Sequence, residues 1–377
     1  MEPITRSPHI AIFAAHLNAG GAERMLVTVA NALAERGRQV DVVLARAWGS
    51  YLSEVSPGVR VVDLNAGRLR SSVGPLRRYL RQSKPQVLLS SLTLTNSVAA
   101  LATIGLRSMP RLVLREATVP SVAKRRYARK VRAAYALAPM LFRRAQAVLA
   151  VSEGVGEELR ELVGIREDAI AVVHDPTRPL NIDRDAAPPH PWLKASANRT
   201  PVVLSVGRLA PIKGVDRLLR ALAAASTLSD TKCLILGDGP EEAALRCLAA
   251  ELGLTDRVEF VGRVAEPRDW MVHADATVVS SHAEAFPGVI LESLQVGTPV
   301  VSVNCPHGPS EILASGKFGV LAESGEPQAL GAAISRSLNM RHDSELLRSR
   351  AAEFSLEQVI LRWEEALWPM RAGSSRL

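Results

Sequence analysis

Two acidic residues flank the start of a predicted helix in the second half of the chain, within the stretch SSHAEAFPGVILESLQVG. Glu284 lies in a turn after the strand DATVV, and Glu292 lies about two turns further on, in a helix that Pro287 is suited to begin. Free backbone N–H groups around Gly288 and Val289 favour an anion such as phosphate. The pattern predicts a cradle for a phosphorylated, hydroxyl-rich molecule, although an ordinary strand–turn–helix with two solvated glutamates fits the same residues.

Two cations follow a predicted strand earlier in the same half, in the stretch VGRLAPIKGVDRLLRAL. Arg208 follows the strand directly, and Lys213 precedes a helix that we expect to begin near Gly214. Cations beside a helix N-terminus suit a diphosphate, because an arginine can bind two of its oxygens at once. A pair of solvated surface charges is the alternative interpretation.

Metal, disulfide and dinucleotide motifs are weak in this chain. The three cysteines are an odd number without CxxC spacing, which argues against a disulfide framework or a zinc site and fits a reducing cytosol. The triplet DRD at 183–185 lies in a proline-rich segment, so we discount it as a metal-binding motif. The turn LGDGPEE at 236–242 has Glu242 where GxGxxG needs its third glycine. We therefore expect a site without a metal.

The charge is distributed unevenly along the chain. Residues 1–190 contain 27 Lys/Arg and 16 Asp/Glu, whereas residues 191–377 contain 19 and 22. Between residues 66 and 144 there are 17 basic residues and one acid, Glu116. Such a field attracts nucleic acid, an anionic membrane surface or a pyrophosphate-bearing substrate.

Short apolar strands alternate with helical stretches along both halves. The first half contains HIAIFA, QVDVVLA, VRVVDL, QVLLSS, RLVLR, AVLAVS and AIAVVH, and the second contains PVVLSVG, KCLILG, RVEFVG, DATVVS, TPVVSV and FGVLA. This alternation predicts parallel sheets covered by helices. A length of 377 residues and a proline-rich segment between the halves favour two domains. We expect an α/β protein with two doubly wound domains facing a central cleft, which bind ligands beyond the carboxyl ends of their strands.

The sequence predicts a cytoplasmic protein. No segment has the eighteen or so continuous apolar residues of a membrane span. We interpret the apolar run at residues 10–15 as a first strand and not as a signal peptide, because it leads into a Gly-Gly turn.

Seven short motifs follow one another along the chain. In order they are GGAER, VSEGVGEEL, GRLAPIKG, LGDGPE, FVG, the E-x7-E pair of Glu284 and Glu292, and GPSEIL. This order resembles glycosyltransferase family 4, whose members are retaining enzymes of the GT-B fold with two Rossmann-like domains. The resemblance covers nearly the whole chain, and seven motifs in order are more specific than any one of them.

The resemblance implies a role for individual residues. It implies that Arg208 and Lys213 neutralise the nucleotide diphosphate as the sugar departs, and that Glu284 contacts hydroxyls of the donor sugar. The donor-binding residues that it implies are Gly20 and Gly21 in an N-domain turn, Gly237, Gly262 and Arg263 near the base, Phe286, Gly288 and Val289 near the sugar and its phosphate, and Glu292 on the ribose hydroxyls. The family needs no divalent metal or other cofactor, so the two cations and the helix N-terminus would stabilise the leaving group.

The chain departs from the family pattern at two places. Many relatives carry a histidine in an N-domain loop that faces the reacting carbon, whereas the loop here reads LREATVPS and offers Glu116 and Thr118. Whether any group assists the acceptor is therefore open. Ala285 replaces the glycine that commonly follows the first acid.

A basic amphipathic helix is predicted within residues 121–145, on the membrane or acceptor side. Its apolar positions recur at helical intervals, and Pro139 should kink it or begin a second helix. Its basic residues are Lys124, Arg125, Arg126, Arg129, Lys130 and Arg132. This composition favours docking to anionic lipid headgroups. A solvated arginine-rich helix is the alternative, and nucleic acid is disfavoured because few aromatic residues are interleaved.

We expect an acceptor-side domain at residues 1–180, a linker at 181–200 and a nucleotide-sugar domain at 201–354. The amphipathic helix at 355–372 should pack back on the first domain, by analogy with other GT-B proteins.

The expected function is sugar transfer from a nucleotide-diphosphate sugar, in particular a UDP-sugar, to an acceptor hydroxyl. The expected acceptor is a lipid-linked or growing cell-surface saccharide, and the location is the cytoplasm or the inner face of the membrane. The alternatives are a nucleotide-sugar epimerase or hydrolase on the same fold and a catalytically silent nucleotide-sugar-binding subunit.

Overall fold

A computed structural model of the protein describes residues 8–18, 20–126, 129–183, 186–196 and 199–369, and describes residues 125, 126, 129 and 130 by their backbone alone. The strands are β1 His9–Ala14, β2 Gln39–Leu44, β3 Val59–Asp63, β4 Val87–Ser91, β5 Arg111–Glu116, β6 Ala147–Ala150, β7 Ile170–Val172, β8 Val202–Val206, β9 Lys232–Leu236, β10 Val258–Gly262, β11 Ala276–Val279, β12 Val300–Val303 and β13 Val320–Ala322. The α-helices are α1 Gly21–Glu35, α2 Val73–Ser83, α3 Thr93–Thr103, α4 Pro120–Arg126, α5 Arg129–Phe142, α6 Glu153–Glu158, α7 Val215–Ala224, α8 Glu242–Glu251, α9 Arg268–Met271, α10 Gly288–Val296, α11 Gly308–Ile312, α12 Pro327–Asn339, α13 Ser344–Ala352 and α14 Leu356–Leu367.

The chain forms two compact units. The first comprises residues 1–176 and 356–377, and the second comprises residues 177–355. Helix α14 belongs to the first unit, where Trp363 is fully buried and donates a hydrogen bond from Nε1 to the carbonyl oxygen of His174, 3.1 Å away. The segment expected to be a linker belongs to the second unit, where Leu193 is buried in one cluster with Val202 and Leu204.

Within the described residues each unit contains one parallel sheet, and the sheet of the first unit has the strand order of the second plus a seventh strand at one edge. In the first unit the order is β3-β2-β1-β4-β5-β6-β7, and in the second it is β10-β9-β8-β11-β12-β13. All the strand pairs are parallel. In the second unit this is the Rossmann order, with the direction of winding reversed between β8 and β11. Ligands of such sheets bind beyond the carboxyl ends of the strands at this switch point.

The parallel sheets form because their strands are apolar on both faces. All six residues of β1 and all four of β12 are buried, as expected for strands with helices on both sides. The thirteen strands predicted from apolar runs are confirmed, and the predicted α/β fold class is confirmed with them.

For Pro139 the sequence left two alternatives, a kink or the start of a second helix, and for Pro287 it predicted the first position of a helix. Helix α5 continues through Pro139, so this residue does not begin a second helix. Pro287 is the N-cap of α10 and not its first residue, because its backbone is extended at φ −76° and ψ 101°. The predicted end of that helix is confirmed, since Gly297 adopts the left-handed conformation at the C-cap.

In the part of the chain that the structure describes, no helix has both the length and the hydropathy that crossing a membrane requires.

Candidate functional site

The predicted cations and the first predicted acid meet at the switch point of the second sheet. Arg208 and Lys213 follow β8, and Glu284 follows β11, which is the neighbour of β8. They line one small depression together with Ser281 and with Val289 of α10. The sheet topology therefore brings together groups that are far apart in the chain.

Lys213 and Glu284 form an ion pair inside this depression. The Lys213 Nζ donates to Glu284 Oε1 across 2.6 Å, and Ser281 Oγ donates to the same oxygen, also across 2.6 Å. The Glu284 side chain is 10% exposed and that of Lys213 is 33% exposed. Because the pair lies at an opening to solvent, both charges can be shared with an incoming polar ligand.

The backbone of Glu284 is held on both sides. Its N–H donates to the carbonyl oxygen of Pro306, and its own carbonyl accepts from the N–H groups of His307 and Gly308. A side chain at Gly308 would overlap the Ala285 carbonyl and Phe286, so the loops before α10 and α11 lie in direct contact. These contacts fix the backbone of Glu284, and therefore the point from which its side chain extends.

Arg208 differs from Lys213 in being exposed. Its guanidinium makes no hydrogen bond or ion pair within the described residues. The turn that carries Arg208 packs against Gly237, which has φ +136°. A Cβ on Gly237 would overlap the carbonyl group of Gly207, so only a glycine allows this close approach. The structure therefore shows a packing reason for Gly237, besides its predicted place near the donor.

The start of α10 faces the same depression. Gly288 begins the helix, and a Cβ on it would meet nothing within 4 Å. The Phe286 ring is buried and lies 5.6 Å from that of Phe354, so its side chain serves packing while its backbone belongs to the loop. Helix α10 has nine residues, and the free N–H groups at its N-terminus suit a negatively charged group.

Glu292 lies further along α10, where it pairs with a residue that sequence reasoning missed. Arg178 Nη2 donates to Glu292 Oε1 across 3.0 Å. Arg178 lies in an aperiodic segment, and no local pattern distinguishes it. Of the residues predicted near the base, Gly262 ends β10 with φ +84° and Arg263 is exposed.

In the described residues, no group of three or more His, Cys, Asp or Glu side chains is placed to hold a metal ion. Burial, together with the charge of Glu284, raises the pKa of the Cys305 thiol to about 12. Cys305 is therefore a neutral packing residue beside the depression and not a thiolate ligand.

The predicted residues of the first unit lie at the carboxyl edge of its own sheet. Gly20 precedes α1 in an extended conformation, and Gly21 is the first residue of that helix. Glu116 ends β5 and is fully buried, where Thr93 Oγ1 and the Thr118 N–H donate to its carboxylate at 2.7 and 3.0 Å. Burial raises the pKa of Glu116. Its carboxyl group is thus enclosed within this unit and does not face solvent.

The predicted basic segment is helical in two described stretches, α4 and α5, with residues 127 and 128 between them outside the described residues. Tyr135, Ala138 and Phe142 are buried, as the apolar spacing predicted. Lys124 donates to the carbonyl of Leu162 across 2.6 Å, and Arg132 is exposed. The side chains of Arg125, Arg126, Arg129 and Lys130 lie outside the described residues.

Two family models match the chain. Residues 19–178 match the model described as glycosyltransferase family 4, and residues 191–354 match the model described as glycosyl transferases group 1. Together they cover most of both units.

Similar proteins include named glycosyltransferases. The chain is 29% identical over 353 residues to the lipopolysaccharide core biosynthesis glycosyltransferase LpsE of Rhizobium meliloti (strain 1021), covering 90% of this chain and 91% of that protein. It is 28% identical over 327 residues to a Campylobacter jejuni enzyme, N-acetylgalactosamine-N,N'-diacetylbacillosaminyl-diphospho-undecaprenol 4-alpha-N-acetylgalactosaminyltransferase, covering 83% of this chain and 86% of that protein.

Solved structures share the fold. Anabaena HepE in complex with UDP-glucose superposes with a TM-score of 0.77 at 22% identity, covering 95% of this chain and 98% of that one. The apo lipopolysaccharide outer core galactosyltransferase WaaB gives a TM-score of 0.74 at 19% identity, covering 95% and 98%. These likenesses confirm the GT-B fold. With a family model matching each half of its sequence, the chain is a glycosyltransferase and belongs to glycosyltransferase family 4.

Proposed function

We propose that this glycosyltransferase moves a sugar from a UDP-sugar to a hydroxyl group of a lipid-linked or growing cell-surface saccharide, with retention of the anomeric configuration. In this reaction the bond between the anomeric carbon and the phosphate oxygen breaks, and its electron pair stays with the diphosphate. The acceptor oxygen forms the new bond on the same face, and its proton passes to an oxygen of the departing diphosphate.

The observation that carries the proposal is the grouping of Arg208, Lys213 and Glu284 at the switch point. The departing diphosphate gains negative charge, which the two cations and the N-terminus of α10 can stabilise without a metal ion. Glu284 accepts hydrogen bonds from sugar hydroxyls, and Glu292 accepts them from the ribose. The proposed reaction accordingly needs neither a metal nor another cofactor.

The choice of donor and acceptor is supported by what similar proteins bind. A protein of the same fold is known in complex with UDP-glucose. The Rhizobium relative is named for lipopolysaccharide core biosynthesis, and the Campylobacter relative is named for a diphospho-undecaprenol acceptor. We infer a related acceptor for this chain.

The test is a thermal-shift panel of UDP, GDP, ADP and their sugars, with and without EDTA. Because a ligand of the folded state raises apparent stability by mass action, UDP compounds should raise the melting temperature selectively, and EDTA should not change this. Glu292→Ala should abolish the shift. Arg199→Ala should keep the shift. This control removes the ion pair between Arg199, which precedes β8, and Asp275, which precedes β11. A shift that EDTA removes would contradict the metal-free mechanism.

We also propose that α5 docks on an anionic membrane surface. Leu137 and Met140 are 52% and 63% exposed on this helix, which also carries the exposed Arg132. Exposed apolar side chains on a helix rich in basic residues suit the boundary between headgroups and acyl chains. This surface would place the enzyme near a lipid-linked acceptor.

Cosedimentation with vesicles tests this docking. The protein should bind vesicles containing phosphatidylglycerol and not vesicles of phosphatidylcholine alone, and 0.5 M salt, about ten times the ionic strength of a low-salt buffer, should weaken the binding. Leu137→Glu with Met140→Glu should reduce it. Leu361→Glu is the matched control, since Leu361 is 54% exposed on α14. Equal binding by all variants would show that α5 is not the docking surface.

A further inference from the structure

Arg178 bridges two carboxylates in the second unit. Its Nη2 lies 3.0 Å from Glu292 Oε1 and 3.2 Å from Glu266 Oε1, and its Nη1 lies 3.1 Å from Glu266 Oε2. The side chains of Arg178 and Glu292 are only 17% and 22% exposed. The guanidinium is thus oriented by Glu266 with two bonds and presents one further bond to Glu292.

The backbone of Arg178 is anchored to the same elements. Its carbonyl oxygen accepts from Gln295 Nε2 at 2.8 Å and from Arg268 Nη1 at 3.4 Å. Arg268 is 2% exposed and also binds Glu266 and Gln295. Arg178 therefore has little freedom to move relative to α9 and α10.

These contacts determine how Glu292 is presented. A glutamate on a helix surface samples several rotamers, and ordering it before a ligand arrives removes that entropic cost from binding. Oε1 of Glu292 is taken by Arg178, whereas Oε2 has no hydrogen-bond partner within the described residues. Burial would lower the pKa of Arg178, but the charges of Glu292 and Glu266 outweigh it and raise that pKa. Arg178 therefore stays a cation throughout the working pH range.

We propose that Arg178 is a positioning residue for the nucleotide: it orients Glu292 so that the second carboxylate oxygen accepts a hydrogen bond from a ribose hydroxyl. This inference rests on the proposed function, because Glu292 has a ribose to bind only if the donor is a nucleotide sugar. Arg178 acts through Glu292 and needs no contact with the nucleotide itself.

Calorimetric titration with UDP and with 2′,3′-dideoxy-UDP tests the inference. A lost charge-assisted hydrogen bond corresponds to about a tenfold weaker affinity or more. Arg178→Ala should weaken UDP binding about tenfold and leave dideoxy-UDP binding unchanged, since that compound has no ribose hydroxyl for Glu292. Arg178→Lys should fall between, because lysine cannot span both carboxylates as the planar guanidinium does.

A double-mutant cycle separates positioning from a general effect on the fold. In a Glu292→Ala background, Arg178→Ala should cause no further loss of UDP affinity. Arg199→Ala is the control: it removes a partly buried arginine–carboxylate pair of similar exposure at the amino edge of the same sheet, and it should change neither affinity.

The outcomes are distinct from those that test the proposed function. If the wild-type protein binds UDP but Arg178→Ala weakens UDP and dideoxy-UDP equally, the positioning role is overturned and the donor assignment stands. The same conclusion follows if the two substitutions are additive. If the wild-type protein binds GDP or ADP and not UDP, the choice of base is wrong, and the comparison is repeated with the matching dideoxy nucleotide.

Discussion

At the scale of single residues, the site depends on charges that are paired before a ligand arrives. Lys213 is paired with Glu284 at the opening of the depression, while Arg208 is exposed and unpaired within the described residues. A paired lysine is held in place, and an exposed arginine can move towards a diphosphate. We therefore expect Lys213 to supply preorganised stabilisation of the leaving group.

Lys213→Ala should reduce kcat by about 10²- to 10³-fold, the usual cost of losing one preorganised group that stabilises developing charge. The melting temperature should change little, because the side chain is one-third exposed. Steady-state kinetics with the donor identified in the thermal-shift panel measure this, with the exposed Lys194→Ala as control. A change in acceptor KM alone would contradict the role.

The environment of the Glu266 carboxylate leads us to expect that the free energy of unfolding depends on pH. Burial would raise the pKa of Glu266, but hydrogen bonds from Arg268 and the charge and bonds of Arg178 lower it from 4.5 to about 2. A folded-state pKa below the unfolded one contributes stability that is present above pH 4.5 and is lost as the pH falls towards 2.

Denaturant titrations between pH 7 and pH 2.5 measure this contribution. Glu266→Gln should lower the free energy of unfolding at pH 7, and the difference from wild type should shrink as the pH falls below about 4.5. The exposed Glu251→Gln should show no such convergence. A difference that stays constant with pH would mean that Glu266 contributes through packing and not through its charge.

At the scale of elements, glycines allow the loops at the carboxyl edge to approach one another. Gly214 has φ +59° at the start of α7, and a Cβ there would overlap the carbonyl oxygen of Ser280. This contact links the turn that carries Lys213 to the end of β11, from which Glu284 follows. Gly253 has a similar φ of +67° but open space around it.

Gly214→Ala and Gly253→Ala separate backbone strain from steric overlap. Both should destabilise by about 1 kcal/mol because alanine disfavours positive φ. Gly214→Ala should cost about 1–3 kcal/mol more because the backbone must move. It should also reduce activity, since Lys213 and Glu284 would separate. Equal losses of stability and activity would show that the contact with Ser280 does not matter.

At the scale of the whole molecule, each unit has its own sheet and its own part in the proposed reaction. The four charged residues of the proposed donor site belong to the second unit, whereas Gly20 and Gly21, which the family resemblance also implies, belong to the first. The first half of the chain carries the excess of basic residues and the exposed apolar side chains of α5. In the proposed function, the second unit binds the nucleotide and the first unit docks on the membrane.

Hydrogen exchange with and without UDP should show this division. Protection should increase in residues 207–214 and 280–292, at the carboxyl edge of the second sheet. It should not change in residues 254–257 and 273–275, which precede β10 and β11 at the opposite edge. Increased protection at the amino edge would mean that UDP does not bind at the carboxyl edge of the second sheet.

The sequence alone determined where the strands of this protein lie. The thirteen strands of the described sheets were predicted from short apolar runs. The central strands, such as β1 and β12, give the clearest runs because strands buried on both faces must be apolar throughout. The E-x7-E pair and the two cations were visible as well, since a helix start with its cap and its glycine stop is a local signal.

Only the tertiary structure decided which of these groups meet. Lys213 and Glu284 are 71 residues apart, and Arg178 and Glu292 are 114 apart. The strand order and register bring them together, and no local pattern records either. The sequence also did not show which charged residues are buried. The residues around Glu116 in the chain would be the same if it faced solvent, but here it is fully buried beside Thr93. Contacts between distant segments depend on how helices pack on the sheet, which is a property of the whole fold.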